Sequence, residues 1–116
     1  MSEIEKLYEN AGVKPLSQMP DVYSGFKNIC EDFTAEKQIE IIKVISTNHI
    51  SSDYSYKYLG IDIDEIDNEI YFNLCIDGRK YHAHAKDFAI TLAKLVNLIW
   101  QDLTEQEQQQ IREILQ

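Results

Sequence analysis

The sequence predicts an α+β protein: a three-stranded antiparallel meander with helices packed on one face, in the order α-α-βββ-α-α. Three observations lead to this fold class. Apolar and polar residues alternate with a period of two between about residues 58 and 84. The dipeptide Asp77-Gly78, which favours a two-residue hairpin turn, interrupts that alternation. The flanking segments combine helix-capping residues with apolar residues at helical spacing.

The N-terminal segment predicts a short helix followed by a linker. Ser2 and Glu5 have the spacing of a capping box, and Gly12 stands where a helix would end. We therefore expect an N-terminal helix within residues 1–12. Residues 13–32 contain both prolines of the chain and are expected to form an irregular linker, pinned to the domain by Tyr23 and Phe26. With 33–116 as an α-βββ-α-α core, residues 1–116 form a single domain.

A second helix is predicted to begin after Thr34, which can cap it, and to run to about Thr47. Its aliphatic residues are Ile39, Ile41, Ile42, Val44 and Ile45. They spread widely round the helix, with Ile39, Ile42 and Ile45 along one side, so we expect most of its surface to be buried. The polar segment 49–55 is predicted to be a loop.

The turn at Asp77-Gly78 predicts the pairing of the last two strands, because a two-residue turn leaves a single register. The predicted pairs are Ile76–Arg79, Cys75–Lys80, Leu74–Tyr81, Asn73–His82, Phe72–Ala83 and Tyr71–His84. Phe72 and Leu74 then lie on the buried face, as do Leu59, Ile61 and Ile63 of the first strand, and the acidic segment 64–69 connects the first two strands.

Two helices are predicted at the C-terminus. Asp87 can cap the first, whose core stripe comprises Phe88, Leu92, Leu95, Val96, Ile99 and Leu103. Thr104 and Glu107 form a capping box that begins the second. Trp100 falls beside the core stripe, so it is expected to pack between helices. The alternative is that Trp100 anchors an interface, since Trp is enriched in binding hot spots.

Charge and composition exclude several classes of protein. The formal net charge is −9, from eleven basic and twenty acidic residues, which disfavours general binding to nucleic-acid phosphates. No run of eighteen apolar residues and no secretory signal peptide is present, so we expect a cytoplasmic protein without membrane contact. Cys30 and Cys75 lack C-x-x-C spacing, which favours two ordinary thiols in a reducing compartment.

One surface is a candidate for ligand or partner binding: the sheet face opposite the helices. The residues predicted on it are Tyr58, Asp62, Tyr71, Asn73, Cys75, Lys80, His82 and His84. Tyr71, with Tyr54, Tyr56 and Tyr58, offers rings on which a base could stack, while Arg79, Lys80 and the two histidines offer charge for phosphates. The alternative is a solvated sheet face on which these are ordinary strand residues.

Catalysis and metal binding are not expected. His82 and His84 are spaced as metal ligands, with Asp62 a possible third, but a structural site needs four ligands. No nucleophile elbow, glycine-rich phosphate loop or H-E-x-x-H motif occurs, and the chain has only four glycines. We therefore predict no catalytic residue, no metal, no cofactor and no enzymatic activity.

Two motifs carry a resemblance to known proteins: FTAEKQIEIIK at residues 33–43 and LIWQDLTEQEQQQIREIL at residues 98–115. They resemble segments of small uncharacterised proteins encoded by phages and prophages of Gram-positive bacteria. The resemblance implies an accessory protein that acts in the host cell, where inhibiting or redirecting a host protein of anti-phage defence is a common role. It implies no particular chemistry.

Three functions remain open at this point. The first is binding to a host protein. The second is sequestration of a nucleotide immune signal, in an oligomer that closes two sheets over the ligand. The third is a homo-oligomeric structural role. A homo-oligomer is expected because a small open sheet leaves its edges uncovered, and Tyr58, Tyr71 and Trp100 are the candidate contacts. Arg79, Lys80, His82 and His84 would line the resulting groove.

Overall fold

The computed structural model describes residues 2–15, 29–46 and 57–116. In chain order their elements are α1 (Glu3–Ala11), α2 (Ile29–Asp32), α3 (Ala35–Ser46), β1 (Lys57–Ile63), β2 (Ile70–Ile76), β3 (Arg79–Ala85), α4 (Phe88–Ile99), a 3-10 turn (Trp100–Asp102) and α5 (Glu105–Leu115). Helix α2 occupies the end of the segment predicted as a linker. The rest of that linker, including Tyr23 and Phe26, and the predicted loop 49–55 lie outside the described residues.

The three strands form an antiparallel sheet in the order β1-β2-β3, which confirms the predicted α+β fold class. The register between β2 and β3 is the predicted one, including Phe72 opposite Ala83 and Tyr71 opposite His84. Asp77 and Gly78 both have positive φ, 49° and 85°, as a type I′ turn requires. Local turn chemistry therefore determines which residues of these two strands face the helices.

The predicted helix caps are present. The Ser2 side chain accepts from the Glu5 N–H at 3.1 Å, and the Asp87 side chain accepts from the Ile90 N–H at 3.0 Å. Gly12 ends α1 with a φ of 70°, a left-handed conformation that costs glycine little. These local bonds set where the helices begin and end. Contacts between apolar side chains then determine how the helices pack.

The core lies between the sheet and the helices. Phe72 and Leu74 of the sheet and Leu92, Leu95 and Ile99 of α4 are at most 1% exposed, as expected for two stripes that face each other. Helix α4 packs on β2 and β3, α1 packs on α4, and α5 packs on α3. The helix layer is therefore centred on the β2–β3 side of the sheet.

Two apolar segments are less buried than the sequence indicated. Only Ile41 and Ile45 form the buried stripe of α3, whereas Ile39 is 53% exposed. At the end of β1, Ile61 and Ile63 are on the helix-facing side but remain exposed, Ile63 to 70%. The reason is the position of the helix layer, which lies over β2 and β3 and leaves this end of β1 uncovered.

Candidate functional site

The outer face of the sheet, opposite the helices, carries most of the predicted site residues. The register places Tyr58, Asp62, Tyr71, Asn73, Cys75, Lys80, His82 and His84 together on it. Lys80, His82 and His84 occupy alternate positions of β3 and are exposed. Exposed side chains on a sheet face offer little enclosure, which limits how tightly this face can hold a small molecule. Tyr54 and Tyr56, proposed beside it, lie outside the described residues.

Acidic side chains hold Tyr71 and His84 at one end of this face. The two rings stack with centroids 4.9 Å apart. The Tyr71 hydroxyl donates to the Asp67 carboxylate, and His84 Nδ1 lies 2.7 Å from Glu69 Oε2. The hydrogen bond from Tyr71 lowers the pKa of Asp67 and raises the pKa of Tyr71 to about 12. A phosphate placed here would meet two carboxylates, so this end of the face does not favour anions.

Tyr58 remains available on the same face. A Cβ at Gly60 would lie 3.3 Å from Tyr58 Cε1, so the ring rests over the glycine of its own strand. Tyr58 is nevertheless 57% exposed. It is the member of the predicted aromatic set that keeps a large accessible surface among the described residues.

Arg79 and Trp100 lie elsewhere. Arg79 pairs with Ile76 on the helix-facing side, and its guanidinium Nη1 lies 3.0 Å from Asp102 Oδ1. The Tyr81 hydroxyl donates to the other oxygen of Asp102 at 2.7 Å, which raises the pKa of Tyr81. Trp100 is 6% exposed within the core. Both residues therefore attach the 3-10 turn to the rest of the fold and are not part of the outer face.

A groove of about 480 Å³ lies beside the edge strand β3, and we call it the β3 groove. It is lined by Glu3, Lys6, His82, Ala83, His84, Lys94, Asn97 and Leu98. The Lys94 ammonium donates to the His84 carbonyl at 3.1 Å. The Asn97 amide donates to the Glu3 carbonyl at 2.9 Å and to its carboxylate at 3.0 Å, so Glu3 is already hydrogen-bonded.

Of the residues that line this groove, the sequence predicted only His82 and His84 of β3 as site residues. Lys6, Lys94 and Leu98 belong to helices α1 and α4, and they meet β3 only because α1 docks along α4. Nothing in the sequence pairs α1 with α4. The one local indication is that the polar residues Lys94 and Asn97 interrupt the apolar pattern of α4 and share one side of the helix with Leu98.

The candidate metal ligands His82 and His84 lie on the outer face of β3. Within residues 2–15, 29–46 and 57–116 no three His, Cys, Asp or Glu side chains cluster as metal ligands. Cys75 is a free thiol, half-buried between Tyr58 and Lys80 of the neighbouring strands.

Of the helices in the described part of the chain, none has the length and apolar character needed to cross a membrane.

We compared the chain with protein-family models, with curated proteins and with solved structures, and none of the three comparisons found a match.

Proposed function

We propose that this protein acts by binding another protein and has no enzymatic activity of its own. The observation that carries the proposal is the β3 groove, which combines accessible cationic groups with an exposed apolar side chain. Lys6 and Lys94 line it together with His82, and Leu98, which also lines it, is 54% exposed. Apolar contact with charged groups at the margin is typical of protein interfaces.

The local charge of the groove differs in sign from that of the whole chain. The protein carries a net charge of −9, yet no carboxylate but that of Glu3 lines the groove among the described residues, and Glu3 is bonded to Asn97. A locally basic groove on an acidic protein orients an approaching partner, since local potential rather than total charge steers encounter.

From the resemblance to phage and prophage proteins we infer that this binding occurs in the cytoplasm of a bacterial host. We infer that the partner is a host protein, inhibited or redirected as part of the response to anti-phage defence. Sequestration of a nucleotide signal is less well supported, because Tyr71 is already stacked on His84, and Asp67 and Glu69 stand where phosphates would bind.

A site-specific crosslinking experiment tests the proposal. A photo-crosslinking residue replaces Leu98 in the groove or, as a control, the exposed Gln106 on α5. Each protein is expressed in Gram-positive host cells and irradiated. We expect a host protein crosslinked from position 98 only, and lost when Lys6 and Lys94 are both changed to Glu. The same adducts from both positions, or none from position 98, would contradict the proposal. Thermal shifts with nucleotides test sequestration separately.

A further inference from the structure

We propose that the β3 groove binds an extended acidic segment of the partner protein, which adds to the sheet as a fourth strand beside β3. The inference rests on the proposed function, because it specifies how the partner is held. Three independent features lead to it: the backbone of β3, the width of the helix layer and the charge of the groove.

The backbone of β3 offers hydrogen-bonding groups to an added strand. In a two-residue hairpin Ile76 and Arg79 exchange backbone hydrogen bonds. The backbone N–H and C=O groups of Lys80, His82 and His84 therefore point away from β2. The bond from Lys94 to the His84 carbonyl agrees with this direction. Among the described residues no strand pairs with this edge, and the N–H and C=O of His82 are open to the groove. Extended peptides commonly bind to such edges.

The helix layer extends beyond the sheet on this side. Helix α4 packs on β2 and β3, and α1 packs on α4 through the Asn97–Glu3 hydrogen bonds, with Glu3 and Lys6 of α1 lining the groove beside β3. A fourth strand would lie about 4.8 Å from β3, above α1 and the exposed Leu98. Its inward side chains, at every second position, would enter the groove, so an apolar residue is expected beside Leu98 and acidic residues beside Lys6 and Lys94.

The charge of the groove selects an acidic segment and disfavours a second copy of this chain. Lys6 and Lys94 would meet carboxylates of the added strand. Antiparallel pairing of two β3 strands about His82 would instead place Lys80 opposite His84 of the other copy and His82 opposite itself. These pairs would give no electrostatic attraction between the two copies. When the histidines are protonated, they would repel each other and Lys80. Lysine on an exposed strand also discourages pairing between identical edges.

A synthetic peptide of about six residues serves as the probe, with glutamate, valine and glutamate at the alternate positions that face the groove and threonine between them. Binding to the full chain is measured by fluorescence anisotropy, and backbone amide shifts in NMR spectra locate it. We expect the largest shifts at His82 and its neighbours. Lys6→Glu with Lys94→Glu should weaken binding by about tenfold or more. Lys43→Glu, singly or with Lys37→Glu to match the charge change, should leave it unchanged, because these lysines lie on α3 outside the groove.

Backbone pairing is tested separately from charge. N-methylation of the peptide amides directed at β3 removes donors and should weaken binding by about tenfold. His82→Pro removes the open N–H of β3 without removing a β2–β3 hydrogen bond, and it should have a similar effect. If that variant does not fold, as judged by circular dichroism, the N-methylated peptide decides the point.

The outcomes separate this inference from the proposed function. If Leu98 crosslinks a host protein but N-methylation and His82→Pro leave peptide binding unchanged, the groove binds a partner without strand addition. A peptide with lysine in place of glutamate that binds equally well would overturn the acidic preference. Peptide shifts confined to other surfaces would overturn strand addition altogether.

Discussion

Glu107 joins the last helix to the first strand by using its two carboxylate oxygens differently. Oε1 accepts from the Thr104 N–H at 2.9 Å and closes the capping box of α5, while Oε2 binds the Lys57 ammonium at the start of β1. The side chains of Lys57 and Glu107 are only 12% and 2% exposed. A capping residue is therefore also half of a buried ion pair between elements fifty positions apart.

We predict that Glu107→Gln lowers the free energy of unfolding by about 3 kcal/mol, because it removes the carboxylate from a buried ammonium while keeping a capping oxygen. Urea denaturation measures the effect. The control is Glu105→Gln in the same helical turn, where the exposed carboxylate should contribute about 0.5 kcal/mol through the helix dipole. Equal losses in the two variants would show that the ion pair adds nothing to stability.

The difference in stability between the natural protein and Glu107→Gln should depend on pH. Burial raises the pKa of Glu107, but the hydrogen bonds from Lys57 and Thr104 outweigh it, so the pKa is lowered from its ordinary value of 4.5. The stabilisation is then complete above pH 4.5 and is lost as the pH falls through the lowered folded-state pKa. The urea midpoints of the two proteins should approach each other as the pH falls below 4.5. A difference in midpoint that stays constant below pH 4.5, down to the lowest pH at which both proteins fold, would contradict the assignment.

Tyr8→Phe should stabilise the protein by about 1 kcal/mol, because the Tyr8 hydroxyl is buried without a hydrogen-bond partner among the described residues. Burial and the nearby Asp32 raise the pKa of Tyr8 to about 12. The natural protein should therefore lose stability between pH 10 and 12, and Tyr8→Phe should lose less. Thermal melting at pH 7 and pH 11 tests both effects, with the exposed Tyr58→Phe as control. A destabilised Tyr8→Phe would indicate that the hydroxyl is bonded.

Leu95 and Leu98 provide a matched pair on one helix. Leu95 is fully buried and Leu98 is 54% exposed in the β3 groove. Leu95→Ala should cost about 2–5 kcal/mol, since it leaves a cavity between α4 and the sheet, whereas Leu98→Ala should cost well under half of that. Chemical denaturation measures both. Similar costs would mean that Leu98 is covered in solution, for instance by a second molecule.

Homo-oligomer formation remains a prediction, now with fewer candidate contacts. Trp100 is in the core and Tyr71 is held by Asp67, so Tyr58 is the predicted contact that stays accessible among the described residues. The uncovered Ile63 lies on the same edge strand β1, on the opposite face of the sheet. Pairing of two β1 strands would cover both side chains. Light scattering across a concentration series should show association that Ile63→Asp abolishes. A monomer at every concentration would contradict the prediction of a homo-oligomer.

The sequence by itself determined the features that depend on neighbours along the chain. Asp77-Gly78 set the register of β2 and β3, because a two-residue turn leaves one way for the strands to pair. Ser2, Gly12 and Thr104 marked helix ends, since caps are bonds across three or four residues. The buried stripe of α4 followed from its periodicity in the same way.

Only the tertiary structure decided how these elements lie side by side. The docking of α1 along α4 makes the β3 groove, and the offset of the helix layer leaves Ile63 exposed. Arg79 was included in the predicted site because of its charge. The register of β2 and β3 already placed it toward the helices, and there it forms an ion pair with Asp102. In the sequence Glu107 has an ordinary local role in the capping box, and no local pattern links it to Lys57. Their pairing depends on the position of α5 relative to β1, which results from packing the whole core rather than from any pattern of neighbouring residues.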